Sequence, residues 1–223
     1  MPADGYIVCN TADPHLLPVL TEVKAKIIDY SKIEAENLVL KFPGAHMVAD
    51  AKAALAVASA VEIDQSVAVK ALNNFSGTWR RFDYKGKTEN GAEVYDDYAH
   101  HPDEVRATIL AAREKTAGKV VVVFQPHMYS RTRDFLPQFA EALALADKVV
   151  VVPIYAAREQ DDGSTNSSML MEEITKLGVS ASFAPDFGQA ADQVKKQSVA
   201  TDLILVMGAG DITKVSELLI TEH

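Results

Sequence analysis

Two polar segments hold the residue types best suited to chemistry. They are "DDYAHHP" at 96–102 and "FQPHMYSRT" at 124–132, and each follows an apolar run. A histidine can hydrogen-bond a substrate or transfer a proton near neutral pH. An arginine presents a planar fork of donors that fits a carboxylate or a phosphate. Together these residues indicate a site for an anionic substrate.

The first segment leaves several alternatives open. Asp96 and Asp97 can accept hydrogen bonds from sugar hydroxyls, organise a magnesium ion, or simply form an acidic turn beside a helix. His100 and His101 are adjacent, so they do not share a helix face, and no second matching pair exists. That spacing disfavours a zinc site and favours hydrogen bonding or proton transfer by a histidine.

Further candidates occur as two arginine pairs and one glycine-rich turn. We expect one arginine of each pair to bind an anion and the other to be a surface charge. The pairs are Arg131 with Arg133 and Arg80 with Arg81. The "GAGD" turn at 208–211 allows close approach of a ligand or a tight bend, and it does not match the dinucleotide-binding fingerprint.

The elements that position these residues alternate regularly from about residue 92 onward. Apolar runs such as "KVVVVF" predict strands covered on both faces, and amphipathic segments between them predict helices. This alternation predicts an α/β fold with a Rossmann-like, doubly wound, mainly parallel sheet. Ligands bind at the carboxyl ends of such strands, so we expect four polar turns to line one crevice, the alternative being ordinary solvated loops. The turns are "DDYAHHP", "FQPHMYSRT", "PIYAAREQDDG" and "GAGD".

The first part of the chain follows another pattern. Short strands are predicted at 6–10, 25–31 and 37–42, followed by helices at 45–62 and 64–75, the second capped by Asp64. A break within "FSGTWRRFDYKGK" marks a domain boundary, which we place between residues 81 and 82. The domains predicted are therefore 1–81 and 82–223.

Composition limits the classes of function. A net charge of −9 over 223 residues disfavours a nucleic-acid surface, and the single cysteine, Cys9, excludes an internal disulfide. The start lacks the pattern of a signal peptide, and no apolar run reaches membrane-spanning length. We expect a cytoplasmic protein with no nucleic-acid partner and no membrane insertion. Neither a G-x-x-x-x-G-K-[ST] phosphate loop nor a nucleophile elbow occurs in the sequence.

Five segments in this order resemble the Mur ligase family. They are "FPGAHMVADAKAALAVA", "FSGTWRRFD", "VYDDYAHHPDEVRATI", "VFQPHMYSRT" and "MGAGDI". The resemblance covers essentially the whole chain and is most specific over 75–212. It implies a truncated α/β remnant of the central ATPase domain, without its phosphate loop, followed by a complete Rossmann-like C-terminal domain.

The resemblance implies part of a ligase that uses ATP and Mg²⁺ to add L-alanine to UDP-N-acetylmuramate through an acyl phosphate, in peptidoglycan precursor synthesis. "DDYAHHP" alone also suits the related murein tripeptide ligase, whereas "FQPHMYSRT" favours the alanine-adding enzyme. The ligands of Mg²⁺ are largely missing, and no metal-binding residue is predicted here. We expect this chain alone to be inactive; the alternative is a truncated, non-catalytic homologue that serves as a binding or partner module.

The same resemblance implies roles for individual residues. On the ATP side, His46 would lie by the adenine, with Met47 and Asp50 replacing two asparagines of the family pattern. Arg81 would reach the ATP phosphates, and Asp97 would contact the ribose.

On the L-alanine side, one group of residues would surround the incoming amino acid and the reacting carboxylate. The group consists of Tyr98, His100, His127 and Arg131, of which the last three are the predicted catalytic residues. Met128 fills a position that is often arginine in the family, so Arg131 is expected to carry the essential charge.

Overall fold

A computed structural model describes residues 2–220, and the chain forms two compact units, Met1–Ser76 and Gly77–His223. Residues 77–81, which the sequence-based boundary assigned to the first domain, belong to the second unit by their contacts. Residues 221–223 of the predicted second domain lie outside the described part. Within the described residues, no helix is both long and apolar enough to cross a membrane.

The first unit contains two short strands and a pair of helices. Strand β1 (Tyr6–Cys9) pairs in parallel with β2 (Lys26–Asp29), and a short helix, α1 (Leu17–Leu20), lies between them in the chain. Helices α2 (Ala45–Ala60) and α3 (Gln65–Asn74) follow. The Asp64 side chain accepts a hydrogen bond from the Ser66 amide and caps α3, which confirms that prediction.

The prediction of a strand at 37–42 was wrong, because this segment forms no strand in the structure. Instead, this segment bonds to the end of α3: the Val39 amide donates to Asn73 Oδ1 at 2.8 Å, and Asn73 Nδ2 donates to the Asn37 carbonyl at 2.9 Å. Asn37 also has a φ of 61°, outside the extended region. The side-chain amide of Asn73 therefore satisfies backbone groups that the apolar pattern assigned to a sheet.

The second unit is a six-stranded sheet with helices between its strands, and its order is β3-β4-β8-β5-β6-β7. The strands are β3 (Asp83–Lys87), β4 (Glu93–Asp97), β5 (Val120–Phe124), β6 (Lys148–Val151), β7 (Ser180–Phe183) and β8 (Leu203–Met207). The helices are α4 (Pro102–Lys115), α5 (Tyr129–Asp134), α6 (Leu136–Leu143), α7 (Ser167–Lys176), α8 (Phe187–Gln197) and α9 (Thr213–Leu219). Every pair is parallel except the antiparallel β3–β4 edge. The predicted α/β class with a mainly parallel sheet is confirmed.

The central strands form the core of this unit. All five residues of β5 and all five of β8 are buried, as expected for strands covered by helices on both faces. Phe124 and Phe139 pack with their ring centroids 5.5 Å apart and join β5 to α6. This packing fixes the strand ends that carry the polar turns.

Three of the elements named above were absent from the sequence-based prediction, and one helix is divided. Strand β3 and helices α1 and α9 were not predicted. The amphipathic segment "TRDFLPQFAEALALA" at 132–146, one of those that predict a helix between two strands, is interrupted at Phe135 (φ −114°, ψ 21°), where α5 ends and α6 begins. Pro137 causes the new start, because proline fits the first turn of a helix and not its interior.

Candidate functional site

The four predicted turns lie at one edge of the sheet, after four neighbouring strands. The register aligns the last residues of these strands in a single row: Asp97 pairs with Met207, Met207 with Phe124, and Phe124 with Val151. The strands β4, β8, β5 and β6 therefore end level with one another. Their turns form the candidate site, which we call the strand-end crevice.

The turn after β4 is built around a buried carboxylate. Asp97 is 3% exposed, and its side chain accepts hydrogen bonds from the Phe82 amide at 2.7 Å and the Ala99 amide at 2.8 Å. These bonds hold the chain in position where it leaves the sheet. Tyr98, the next residue, is half-buried, and its amide donates to the Arg80 carbonyl at 2.8 Å.

The two adjacent histidines have different roles. The Nδ1 atom of His100 lies 2.9 Å from the Tyr98 carbonyl and 3.3 Å from Glu104 Oε2. His101 instead caps α4: its ring accepts from the Asp103 amide, while Glu104 accepts from the His101 amide. His101 therefore caps the start of α4, and His100 lies at the strand-end crevice.

Glu104 supports both histidines from the first turn of α4. Burial opposes its ionisation, yet the amides of His100 and His101 and the nearby Arg81 hold the pKa of this carboxyl below its usual value. Glu104 is therefore ionised at neutral pH, and its charge fixes the ring and backbone of His100.

The turn after β5 places His127 against His100, with the two ring centroids 5.8 Å apart. Arg131 lies one helical turn further along the chain, and its Nη1 atom is 3.5 Å from His127 Nδ1. Burial, followed by the charges of Arg131 and His100, lowers the pKa of His127 below 6.5. His127 is therefore neutral at physiological pH and can accept a proton.

Met128 lies in the turn but takes a structural position. Its backbone has a φ of 72°, and its amide donates to the Tyr155 carbonyl at 2.9 Å. The Met128 carbonyl accepts from the hydroxyl of Thr132 at 2.8 Å, which tightens the start of α5. The side chain has only a weakly accepting thioether, so the charge at this turn comes from Arg131.

Tyr155, after β6, is a crevice residue that the sequence analysis did not single out. Its ring stacks on His127, with centroids 5.6 Å apart and planes inclined by 22°. A parallel bridge between the two residues extends the β5–β6 pairing beyond the named strands. The only sequence signal was its place in the polar turn "PIYAAREQDDG", because the contact itself depends on which strands are neighbours.

The arginine pair before β3 is divided between the interior and the surface. Arg80 is 3% exposed, and its Nε donates to Asp96 Oδ2 at 2.9 Å. Its Nη1 and Nη2 atoms donate to the carbonyls of Gly210 and Gly208. Arg81 is exposed, and its guanidinium carbon lies 5.9 Å from the centre of the Tyr98 ring. Arg80 thus joins β4 to the glycine turn, and Arg81 lies at the crevice.

The glycine turn after β8 is closely packed. A Cβ atom at Gly208, where φ is +148°, would lie 2.7 Å from the Gln125 carbonyl oxygen. A Cβ atom at Gly210 would lie 2.4 Å from Gln125 Oε1 and 2.7 Å from the Tyr155 ring. Of the two alternatives for "GAGD", the structure matches the tight bend, because the glycines allow this turn to pack closely against Gln125, which follows β5, and against Tyr155.

The other predicted ATP-side residues lie in the first unit. His46 is partly buried in the first turn of α2, and Asp50 is exposed one turn later on the same helix. Met47 lies between them and is partly buried. The described residues contain no group of three or more histidine, cysteine, aspartate or glutamate side chains placed to hold a metal ion.

Comparison with known proteins matches this architecture to one family. The model of the Mur ligase glutamate ligase domain matches residues 80–210, which is more than half of the chain and includes the first three turns of the crevice and residues 208–210 of the fourth. The chain belongs to the Mur ligase family. The resemblance inferred from the five sequence segments is confirmed.

Among curated relatives, this Mur ligase chain is similar to UDP-N-acetylmuramate–L-alanine ligases. It is 35% identical over 250 residues to the one from Acetivibrio thermocellus, covering 100% of this chain and 53% of that protein. It is 45% identical over 184 residues to the one from Lachnospira eligens, covering 82% of this chain and 40% of that protein. The chain spans about half the length of the curated relatives it matches.

A solved Mur ligase structure also matches. It is the crystal structure of UDP-N-acetylmuramate–alanine ligase from Thermotoga maritima, with a TM-score of 0.67 and 32% identity. The match covers 81% of this chain and 38% of the other.

Proposed function

We propose that this chain supplies the amino-acid side of an ATP-dependent ligase that joins L-alanine to UDP-N-acetylmuramate in peptidoglycan precursor synthesis. The observation that carries this proposal is the convergence of a neutral histidine and an arginine at the strand-end crevice. His127 and Arg131 lie 3.5 Å apart, with His100 beside them. The identity to alanine ligases supports the choice of L-alanine as substrate.

The reaction has two chemical steps. A carboxylate oxygen of UDP-N-acetylmuramate attacks the γ-phosphorus of ATP, which forms an acyl phosphate and releases ADP. The amine of L-alanine then attacks the acyl carbon, an amide bond forms, and inorganic phosphate leaves. A site for the second step needs a cation for the alanine carboxylate and a base for the ammonium proton.

The crevice residues match these two requirements. Arg131 presents a fork of donors to the alanine carboxylate. His127, kept neutral by burial and by the neighbouring cation, accepts a proton as the ammonium becomes a nucleophilic amine. His100, fixed by Glu104 and the Tyr98 carbonyl, and the Tyr98 ring bound the same space.

ATP is proposed to approach from the side of β3. Arg81, exposed beside Tyr98, is placed to reach the phosphates. Asp97, the last residue of β4, is proposed to contact the ribose, as the family resemblance implies. His46 of α2 is proposed to lie by the adenine, and Asp50 of the same helix is proposed as a further ATP-binding residue.

The proposed domain assignment follows from this arrangement. We propose that residues 77–223 correspond to the C-terminal Rossmann-like domain and that residues 1–76 correspond to a remnant of the central ATPase domain. The chain has no G-x-x-x-x-G-K-[ST] loop, and its described residues offer no metal cluster. As the family resemblance implies, we propose that Arg81 contributes to the triphosphate site, while the phosphate loop and most ligands of Mg²⁺ are largely missing from this sequence. We place the activity in the cytoplasm, where ATP is available.

The absence of a G-x-x-x-x-G-K-[ST] loop from these 223 residues keeps one second candidate open. It is a non-catalytic module that retains the crevice and binds an amino acid or a partner. Phosphate release from ATP distinguishes the two, measured with UDP-N-acetylmuramate and L-alanine on this chain and on the longest form that contains it. The proposal predicts turnover by the longer form and none by the 223-residue chain. Absence of turnover in both forms would contradict the ligase assignment.

A further inference from the structure

The turn that carries His127 and Arg131 needs support from outside itself. Helix α5 has six residues, and a helix this short is not stable alone. Its first backbone N–H groups lack partners within the helix and require acceptors. Met128, which precedes α5, adopts a φ of 72° and has no side-chain oxygen to supply one.

Glu159 supplies this acceptor from a different loop. Its Oε2 atom accepts from the Ser130 amide at 2.9 Å, and its Oε1 atom accepts from the Ser130 hydroxyl. These two bonds lower the pKa of the Glu159 carboxyl below its usual value, and the bond from the Ser130 hydroxyl has the larger effect. The group is therefore ionised at neutral pH. A negative charge at the start of α5 also complements the helix dipole.

The same loop holds the other end of the turn. The Tyr155 amide donates to the Pro126 carbonyl at 2.8 Å, and the Tyr155 carbonyl accepts from the Met128 amide. The Tyr155 ring covers one face of His127. The loop from Tyr155 to Glu159 therefore contacts this turn at three places: at Pro126, at His127 and Met128, and at Ser130.

We propose that Glu159 is a positioning residue of the L-alanine site, an inference that rests on the function proposed above. Ser130 immediately precedes Arg131 in the first turn of α5, so the Glu159–Ser130 bonds set the start of that helix. They thereby set the direction of the Arg131 guanidinium relative to His127. Glu159 acts through Ser130, and it does not itself touch the amino acid.

Three variants of the 223-residue chain test the proposal by calorimetric titration with L-alanine. Glu159→Ala removes both acceptors and is expected to weaken binding about tenfold. Glu159→Gln keeps an acceptor for the Ser130 amide and is expected to restore binding to within about threefold of the wild type. Gln160→Ala changes the exposed neighbour in the same loop and is the matched control, with binding unchanged.

A second readout does not depend on L-alanine. In the wild type, the Ser130 amide proton shift will follow pH with the lowered pKa of Glu159, and this titration will disappear in Glu159→Gln. Exchange of the Ser130 amide with solvent will be faster in Glu159→Ala than in Gln160→Ala. A purely structural defect elsewhere in the fold would not produce a titration confined to this amide.

Each outcome separates this inference from the proposed function. Wild-type affinity in Glu159→Ala would overturn the positioning role. Failure of the wild-type chain to bind L-alanine would contradict the proposed site, and the Ser130 amide would then decide about Glu159. A Ser130 amide that ignores pH and exchanges equally in all variants would overturn the Glu159 contact itself.

Discussion

Replacing Arg131 by alanine removes the cation that we assign to the carboxylate of L-alanine. A hydrogen bond to a charged group contributes about 1.5–3 kcal/mol, and Arg131 is half-buried, so we take about 2 kcal/mol. That free energy corresponds to an increase of about 30-fold in the Kd or KM for L-alanine. The Kd is measured on this chain and the KM on the longest form of the ligase.

The neighbouring Met128→Leu variant is the control. Leucine keeps the size and the uncharged character of methionine and is likewise unbranched at Cβ, so the strained backbone is unaffected. We expect its Kd for L-alanine to change by less than about twofold. Arg131→Ala should also raise the pKa of His127, because the cation that depresses it is removed. Equal effects of the two substitutions on L-alanine binding would refute the assignment of charge within this turn.

Three further predictions concern stability. Arg80→Ala leaves the buried carboxylate of Asp96 without its ion-pair partner and should lower the free energy of unfolding by about 3–5 kcal/mol. Arg81→Ala, at the exposed neighbour, should change the free energy of unfolding by less than about 0.5 kcal/mol. Equal values for the two variants in urea denaturation would contradict this prediction. In the folded protein the pKa of His127 lies below 6.5, so the stabilisation that depends on the neutral ring is present above pH 6.5 and decreases as the pH falls. His127→Gln should therefore flatten the decline in melting temperature between about pH 7.5 and about pH 5.5. Parallel profiles of melting temperature against pH for the two proteins would contradict the lowered pKa of His127. Gly208→Ala should cost at least about 2 kcal/mol in urea denaturation because of its positive φ and the close carbonyl, and a neutral effect would show that the turn relaxes.

The sheet was predictable from sequence because its strands are continuous apolar runs separated by amphipathic helices. Strand β3 was missed because "DYKGK" is polar and contains glycine, and only its place at the antiparallel edge of the sheet makes it a strand. The segment 37–42 failed for the opposite reason: its apolar residues suggest a strand, while the side chain of Asn73 takes over its backbone bonds.

The candidate site was predictable in part. Polar residues after parallel strands indicated which turns converge, since the carboxyl ends of such strands share one edge. Tyr155 and Glu159 were not predictable, because their contacts with His127 and Ser130 depend on β5 and β6 being neighbours. Likewise, the sequence "RR" could not show that Arg80 is buried while Arg81 is exposed.

The most direct test of the account is a titration of this chain with L-alanine, followed through the imidazole resonances of His100 and His127 in NMR spectra. The account predicts saturable shifts at both histidines, and their loss in Arg131→Ala. His15, in the first unit, should not respond and reports nonspecific effects. Unshifted resonances of His100 and His127 at saturating L-alanine, or equal shifts in Arg131→Ala, would contradict the claim that the strand-end crevice is the amino-acid site.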